Sequence, residues 1–194
     1  MNFKQFGVLL SVSAVVGMNV VATKALAQEA SIQFGQAIGA GGCTVADQLV
    51  GTDGRTLSVF FDNMHSENGS RQRCLLRVNT TIPSGLHVQN VKILYQGSTE
   101  VSPGSNGTSL SRSYIFNGGG LGQPKAKPAI TKFTSSNALY QVEDPITVAS
   151  ASCGGEGQLG INMIAQSSPG TSIIVDTADF NAGKVELHFD LASC

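Results

Sequence analysis

Apolar and polar residues alternate along most of this chain. In "TLSVFFD", Leu57, Val59 and Phe61 share one face, and in "RCLLRVNT", Cys74, Leu76 and Val78 do. "QLGINMI" aligns Leu159, Ile161 and Met163. "KVELHFDL" is the clearest run, with Val185, Leu187, Phe189 and Leu191 on one side and Glu186, His188 and Asp190 on the other. A period of two sends alternate side chains to opposite faces of a strand, so each run predicts a half-buried β-strand. "GLHVQNVKILYQG" aligns Leu86 with Val88, then Val91 with Ile93 and Tyr95. The parity slip at Gln89-Asn90 predicts a bulge or bend. "SYIFN", "KFT", "LYQV", "ITVAS" and "TSIIVD" read as shorter strands.

Between these runs lie Thr52-Asp53-Gly54, Pro83-Ser84-Gly85, Pro103 to Gly107, Ser168-Pro169-Gly170 and Asn181-Ala182-Gly183. Their residues supply positive φ or a fixed proline φ, the chemistry of turns. No convincing helical stripe follows the N-terminal region. About ten short strands at this spacing predict an all-β fold, an antiparallel β-sandwich or jelly roll, with a barrel as the alternative. Asn117–Pro128, "NGGGLGQPKAKP", reads as a long exposed loop with Lys125 and Lys127 at its tip.

The first residues change the picture of where this fold matures. Lys4 precedes an uncharged apolar run over Phe6–Ala22, and Ala25-Leu26-Ala27 forms an A-x-A site before Gln28. That is the three-part pattern of a secretory signal peptide, and the run is too short and interrupted for a membrane span. Residues 1–27 are therefore expected to be removed, giving a secreted or periplasmic protein of 167 residues. Gln28–Gly42 is polar and small, a flexible leader before an all-β domain over residues 43–194. The processed chain keeps 10 basic against 13 acidic side chains, a charge of −3. No basic face is evident along the sequence, which argues against nucleic acid and anionic membrane as partners.

Four cysteines remain, Cys43, Cys74, Cys153 and Cys194, an even number in a chain bound for an oxidising compartment. Two disulfides follow as the default, and the absence of C-x-x-C removes redox and zinc-ribbon readings. Three pairings are open. The leading one is Cys43–Cys153 with Cys74–Cys194, because Cys74 sits near the start of a strand, Cys194 closes the last one, and antiparallel partners meet start to end.

Gly42-Cys43, "RQRCLL" (Arg71–Leu76), Pro83-x-Gly85, Cys153-Gly154-Gly155, Asp176-x-x-Asp179 and a final cysteine together resemble a known set. The chain is similar, over roughly Gly41–Cys194, to the secreted family catalogued as domain of unknown function 4360, found in fungi and bacteria. The resemblance implies an exported four-cysteine domain. It carries no established activity and transfers no catalytic residue.

Candidate chemistry is sparse. There is no G-x-S-x-G, and no catalytic residue is assigned. His65, in the polar stretch "FFDNMHSENGS" with Asp62 and Glu67, is the best single base, and a solvated loop is the plainer reading. Glu186, His188 and Asp190 lie about 7 Å apart on one strand face and are candidate metal ligands. Asp176, Asp179 and Asn181 crowd the segment before Gly183, which leaves calcium as a minor alternative, although the spacing departs from D-x-[DN]-x-[DN]-G. No cofactor is expected. Gly155, Gly157 and Gly160 spell G-x-G-x-x-G, but only about ten residues separate Gly160 from the next apolar run, too few for a crossover helix. Exposed aromatics for stacking sugars are few, with no Trp and only Tyr95, Tyr114 and Tyr140 beside the phenylalanines. The expectation is a binding or structural module at or outside the cell surface, its partner an extracellular polysaccharide or another surface protein. A polysaccharide hydrolase of the envelope is the alternative. Asn68, Asn79 and Asn106 head N-x-[ST] sequons.

Overall fold

Two antiparallel sheets stack with their apolar faces together. The computed structural model describes residues 31–149, 151–175 and 183–194. Its strands are β1 (Gln33–Ala40), β2 (Thr44–Val50), β3 (Thr56–Asp62), β4 (His65–Glu67), β5 (Arg71–Ile82), β6 (Leu86–Val101) and β7 (Thr108–Asn117). They continue as β8 (Gln123–Pro124), β9 (Ala129–Phe133), β10 (Asn137–Ala149), β11 (Gly155–Ser167), β12 (Thr171–Ile174) and β13 (Val185–Ser193). The first sheet has the order β1-β5-β11-β7-β9. The second runs β2-β3-β13-β6-β10-β8, with β12 pairing to β6 and β4 to β12. The one helical element among the described residues is a 3-10 turn at Gly119–Leu121. The signal peptide and the candidate calcium residues Asp176, Asp179 and Asn181 lie outside the described residues.

The inward parity of the sequence is the core. Leu57, Val59, Phe61, Leu76, Val78, Val91, Ile93, Tyr95, Leu159, Ile161, Met163, Val185, Leu187 and Phe189 are all fully buried. Each large apolar side chain taken out of water contributes about 1.5–3 kcal/mol before entropy is counted. The parity slip in β6 is a bulge: Asp190 faces Asn90 but Leu191 faces Val88, so Gln89 is the extra residue.

Four expectations are corrected. The supposed leader supplies β1, an edge strand whose Ala37 is buried and whose register to β5 shifts between Phe34 and Ala37. Small residues and a bulge hide the alternation there. The supposed exposed loop at Asn117–Pro128 buries Leu121 and adds the two-residue β8 to the sheet. "LYQV" and Ile146–Ala149 of "ITVAS" belong to one strand, β10, which runs straight through Pro145. The proline is tolerated because β8 pairs only with Val148 and Ala149, leaving β10 an edge at Pro145.

The disulfides are Cys43–Cys74 and Cys153–Cys194, not the expected Cys43–Cys153 and Cys74–Cys194. The reason is sheet membership. Cys74 lies near the start of β5 in the first sheet, whereas β13, which leads to Cys194, lies in the second. Ala40 at the end of β1 pairs with Leu75, which brings Cys43 over Cys74. The backbone N–H groups of Cys194 and Gly154 donate to Gly85 and Leu86, so Cys194 and Cys153 both flank the start of β6.

Candidate functional site

The outer face of the first sheet carries a broad array of exposed polar side chains. Alternation on β5 points Arg71, Arg73, Leu75, Arg77, Asn79 and Thr81 away from the core, opposite Cys74, Leu76 and Val78. On β11 the outward set is Glu156, Gln158, Gly160, Asn162, Ile164 and Gln166. The register lines these up across strands. Asn79, Gln158 and Asn117 form one row of amides over β5, β11 and β7. Gln158 Nε2 donates to Asn79 Oδ1 at 2.8 Å. The next row is Ile38, Arg77, Gly160 and Ile115. Arg73 Nε donates to Asn162 Oδ1 at 2.6 Å. At the amide end a shallow trough of about 580 Å³ is lined by Gln33, Asn79, Thr81, Asn117, Glu156 and Gln158 among others.

The glycine fingerprint has a structural account. Gly155, Gly157 and Gly160 all lie on β11, and among the described residues no helix follows them. A Cβ on Gly157 would stand 2.7 Å from Leu121 Cδ1, so this glycine admits the buried Leu121. Sequence reading missed the basic residues of this face, because it counted charge along the chain rather than by strand parity. Arg71, Arg73 and Arg77 are all exposed on one side of β5, and Lys132 of β9 joins them.

A buried polar network ties this sheet to the other. Arg112 of β7 points inward and is 3% exposed, paired through Nε to Asp144 Oδ2 of β10 at 2.6 Å, with Asp144 15% exposed. Its Nη2 donates to Asp144 Oδ1 at 3.1 Å, and its Nη1 to the Leu110 carbonyl at 2.8 Å and Thr131 Oγ1 at 3.0 Å. Tyr95 donates to the Tyr114 hydroxyl at 3.1 Å, and Tyr114 donates to Asp144. The guanidinium also lies over the Tyr95 ring, 5.3 Å from its centroid. A pocket of about 270 Å³ opens beside Tyr114 and Asp144 and is bordered by Lys125 and Lys127.

Burial raises the Tyr95 hydroxyl pKa well above the ordinary tyrosine value, with the neighbouring Tyr114 adding to it. Burial, then the hydrogen bond to Asp144, does the same for Tyr114, and burial does so for Tyr140. These are the three tyrosines of the chain, and Tyr95 and Tyr140 are core residues rather than sugar platforms. In the unfolded chain they ionise near pH ~10. A raised folded-state pKa means that the native state holds more protons above that pH, so stability is constant below it and falls above it. The expected slope reaches about 1.4 kcal/mol per pH unit for each tyrosine. Tyrosinate absorbance should stay absent through pH 10 in the native protein and rise with unfolding. Reversible tyrosine titration near pH 10 with the fold intact would contradict this.

Of the sequence-predicted ligands, Glu186 is engaged apart from His188 and Asp190, which lie side by side. Glu186 Oε2 pairs with Lys184 Nζ at 2.6 Å and accepts from Ser58 Oγ at 3.3 Å. Thr56 Oγ1 donates to Asp53 Oδ2 at 2.7 Å and meets His188 Nδ1 at 2.9 Å, while His188 Nε2 lies 3.5 Å from Asp190 Oδ1. The backbone N–H of Arg55 and the hydroxyl and N–H of Thr56 hold Asp53 below the usual carboxylate range, against the desolvation that would raise it. No group of three or more His, Cys, Asp or Glu side chains is placed to hold a metal among the described residues. His65 lies exposed on β4, paired through its backbone to Ile174. Glu67 and Glu100, which flank Ser172 on the neighbouring strands β4 and β6, line a second open trough of about 690 Å³.

The sequence profile described as "Domain of unknown function (DUF4360)" matches residues 28–194. A search of curated proteins found no match. Among solved structures, a study of carbohydrate-binding modules from the beta-sandwich superfamily gives a likeness at 12% identity and a TM-score of 0.32, covering 85% of this chain and 57% of that one. The enzymatically active domain of bacteriophage CBA120 tailspike protein 4 gives 10% identity and a TM-score of 0.23, covering 83% of this chain and 19% of the other. The chain thus spans just over half of the first structure and about a fifth of the second, and neither superposition is close enough to transfer a role.

Proposed function

Because the chain belongs to the DUF4360 family, which assigns no activity, we propose from geometry that it is a non-catalytic binding module holding an extended polysaccharide on the outer face of its first sheet. The amide row Asn79–Gln158–Asn117 carries this reading. Side-chain amides both donate and accept, as sugar hydroxyls do, and a row on an exposed sheet suits a chain laid across it. The trough beside it contains one carboxylate, Glu156, whereas glycoside hydrolysis ordinarily requires two. Export through the N-terminal segment and use of the disulfides outside the cytoplasm fit the same reading.

The test is retention in gels containing soluble polysaccharides. Asn79→Ala with Gln158→Ala is expected to weaken retention about tenfold, the loss of one or two net hydrogen bonds. Undiminished retention would place the site elsewhere. A second reading, a polysaccharide hydrolase, is favoured by Glu67 and Glu100. Both are in register with Ser172, so their backbones stand two strand spacings apart, about 9–10 Å. Both are exposed, without the apolar wall that keeps a general acid protonated. Assaying the same incubations for new reducing ends separates the two readings: release of sugar that Glu100→Gln abolishes would establish the hydrolase.

A further inference from the structure

We infer that the polysaccharide taken by this face is acidic, with Arg71, Arg73 and Arg77 reading its carboxylates or sulfates; the inference rests on the binding reading above. The whole chain is close to neutral, with 12 Lys and Arg against 13 Asp and Glu. The outer face of the first sheet departs sharply from that balance. Arg71, Arg73, Arg77 and Lys132 are exposed there, and Glu156 is the one carboxylate among the outward positions of its described strands. Glu156 pairs in register with Thr81, four strand positions from Arg77's row towards the end away from Arg71 and Arg73. The outer face of the second sheet has the opposite bias, presenting Glu143, Glu186 and Asp190 around Lys92.

None of the four cations forms a salt bridge among the described residues, so their charge faces solvent. The three arginines follow one strand over about 20 Å, and Lys132 shares the row of Arg71, Gln166 and Ser109 three strands across. Such an array suits a linear ligand with repeated anionic groups. The planar guanidinium fork grips carboxylate and sulfate through paired N–H bonds. Arg73 is already oriented by Asn162.

The rest of the surface selects against other polyanions. Ile38, Ile115 and Ile130 are 56%, 55% and 66% exposed on this face, an apolar shelf for the C–H faces of sugar rings. No aromatic side chain points outward from it among the described residues. Single-stranded nucleic acid is ordinarily held by stacking its bases on such aromatics.

The experiment uses the full processed chain, made in a host that adds no glycan at Asn79. Mobility is measured in gels containing polygalacturonate, dextran sulfate, a neutral galactan or single-stranded DNA, at low salt and at about 0.15 M salt. Retention by one or both acidic polysaccharides, stronger than by the galactan and weakened by salt, is expected. The triple substitution Arg71→Gln, Arg73→Gln and Arg77→Gln should weaken that retention at least about tenfold. Lys92→Gln on the opposite sheet should leave it unchanged, and matched melting curves establish that the triple variant is folded. The two acidic polymers distinguish carboxylate from sulfate. Equal retention by galactan, unaffected by the triple substitution, would overturn the acidic assignment and leave the polysaccharide reading standing. Retention by no polysaccharide would overturn both. DNA retained as strongly as the acidic glycans would overturn the glycan assignment in favour of a general polyanion surface.

Discussion

Arg112→Ala is expected to lower the stability of the protein by about 3–5 kcal/mol, read as a fall in the urea midpoint at constant slope. The substitution removes a guanidinium that is 3% exposed and leaves the Asp144 carboxylate facing the core without its countercharge. It also strands the Leu110 carbonyl and Thr131 hydroxyl that Nη1 serves, and opens a void under the Tyr95 ring. Replacing both ends, Arg112→Met with Asp144→Leu, should recover about half or more of the loss, because no buried charge then remains. The Tyr114 hydroxyl still loses its acceptor, so recovery is incomplete. A double variant less stable than Arg112→Ala would show that the pair contributes net stability beyond compensating its own burial.

Removing either disulfide is expected to cost about 3–4 kcal/mol, since the bridges close loops of 31 and 41 residues. The two loops neither overlap nor nest, so the costs should add. Together they approach the whole 5–15 kcal/mol by which a typical domain is stable, and a chain lacking both bridges should be largely unfolded. Cys43→Ser with Cys74→Ala, and Cys153→Ser with Cys194→Ser, test each bridge by urea titration. Non-reducing peptide mapping should recover Cys43 joined to Cys74. A peptide joining Cys43 to Cys153 would refute the pairing.

What could be read from the sequence was whatever repeats every two residues. The inward faces of β3, β5, β11 and β13, and even the extra residue at Gln89, follow from parity alone. What parity cannot give is which sheet a strand joins, and the cysteine pairing depends on that: Cys74 and Cys194 have compatible strand positions but belong with different sheets. β1 escaped notice because glycine, alanine and a bulge leave it little alternation to show. The buried ion pair did leave a trace. Leu110, Arg112, Tyr114 and Phe116 share one parity on β7, and Tyr140, Val142, Asp144 and Ile146 share one on β10. A charge at an inward position on each of two strands is the signature of a pair meeting between sheets. The basic face was equally legible, since Arg71, Arg73 and Arg77 all oppose the parity of Cys74, Leu76 and Val78.

The bridge at Cys194 also determines how the molecule bears load. β13 runs between β3 and β6 inside the second sheet, and β11 is the central strand of the first. Cys153–Cys194 therefore joins interior strands of both layers at one end. A tension applied at Cys194 passes through the sulfur atoms into the first sheet as well as along β13. The strand cannot peel from that end one hydrogen bond at a time, as an unanchored terminal strand can. Its ladders to β3 and β6 must slide together, so a tethered or dragged molecule should yield by shear rather than by unzipping.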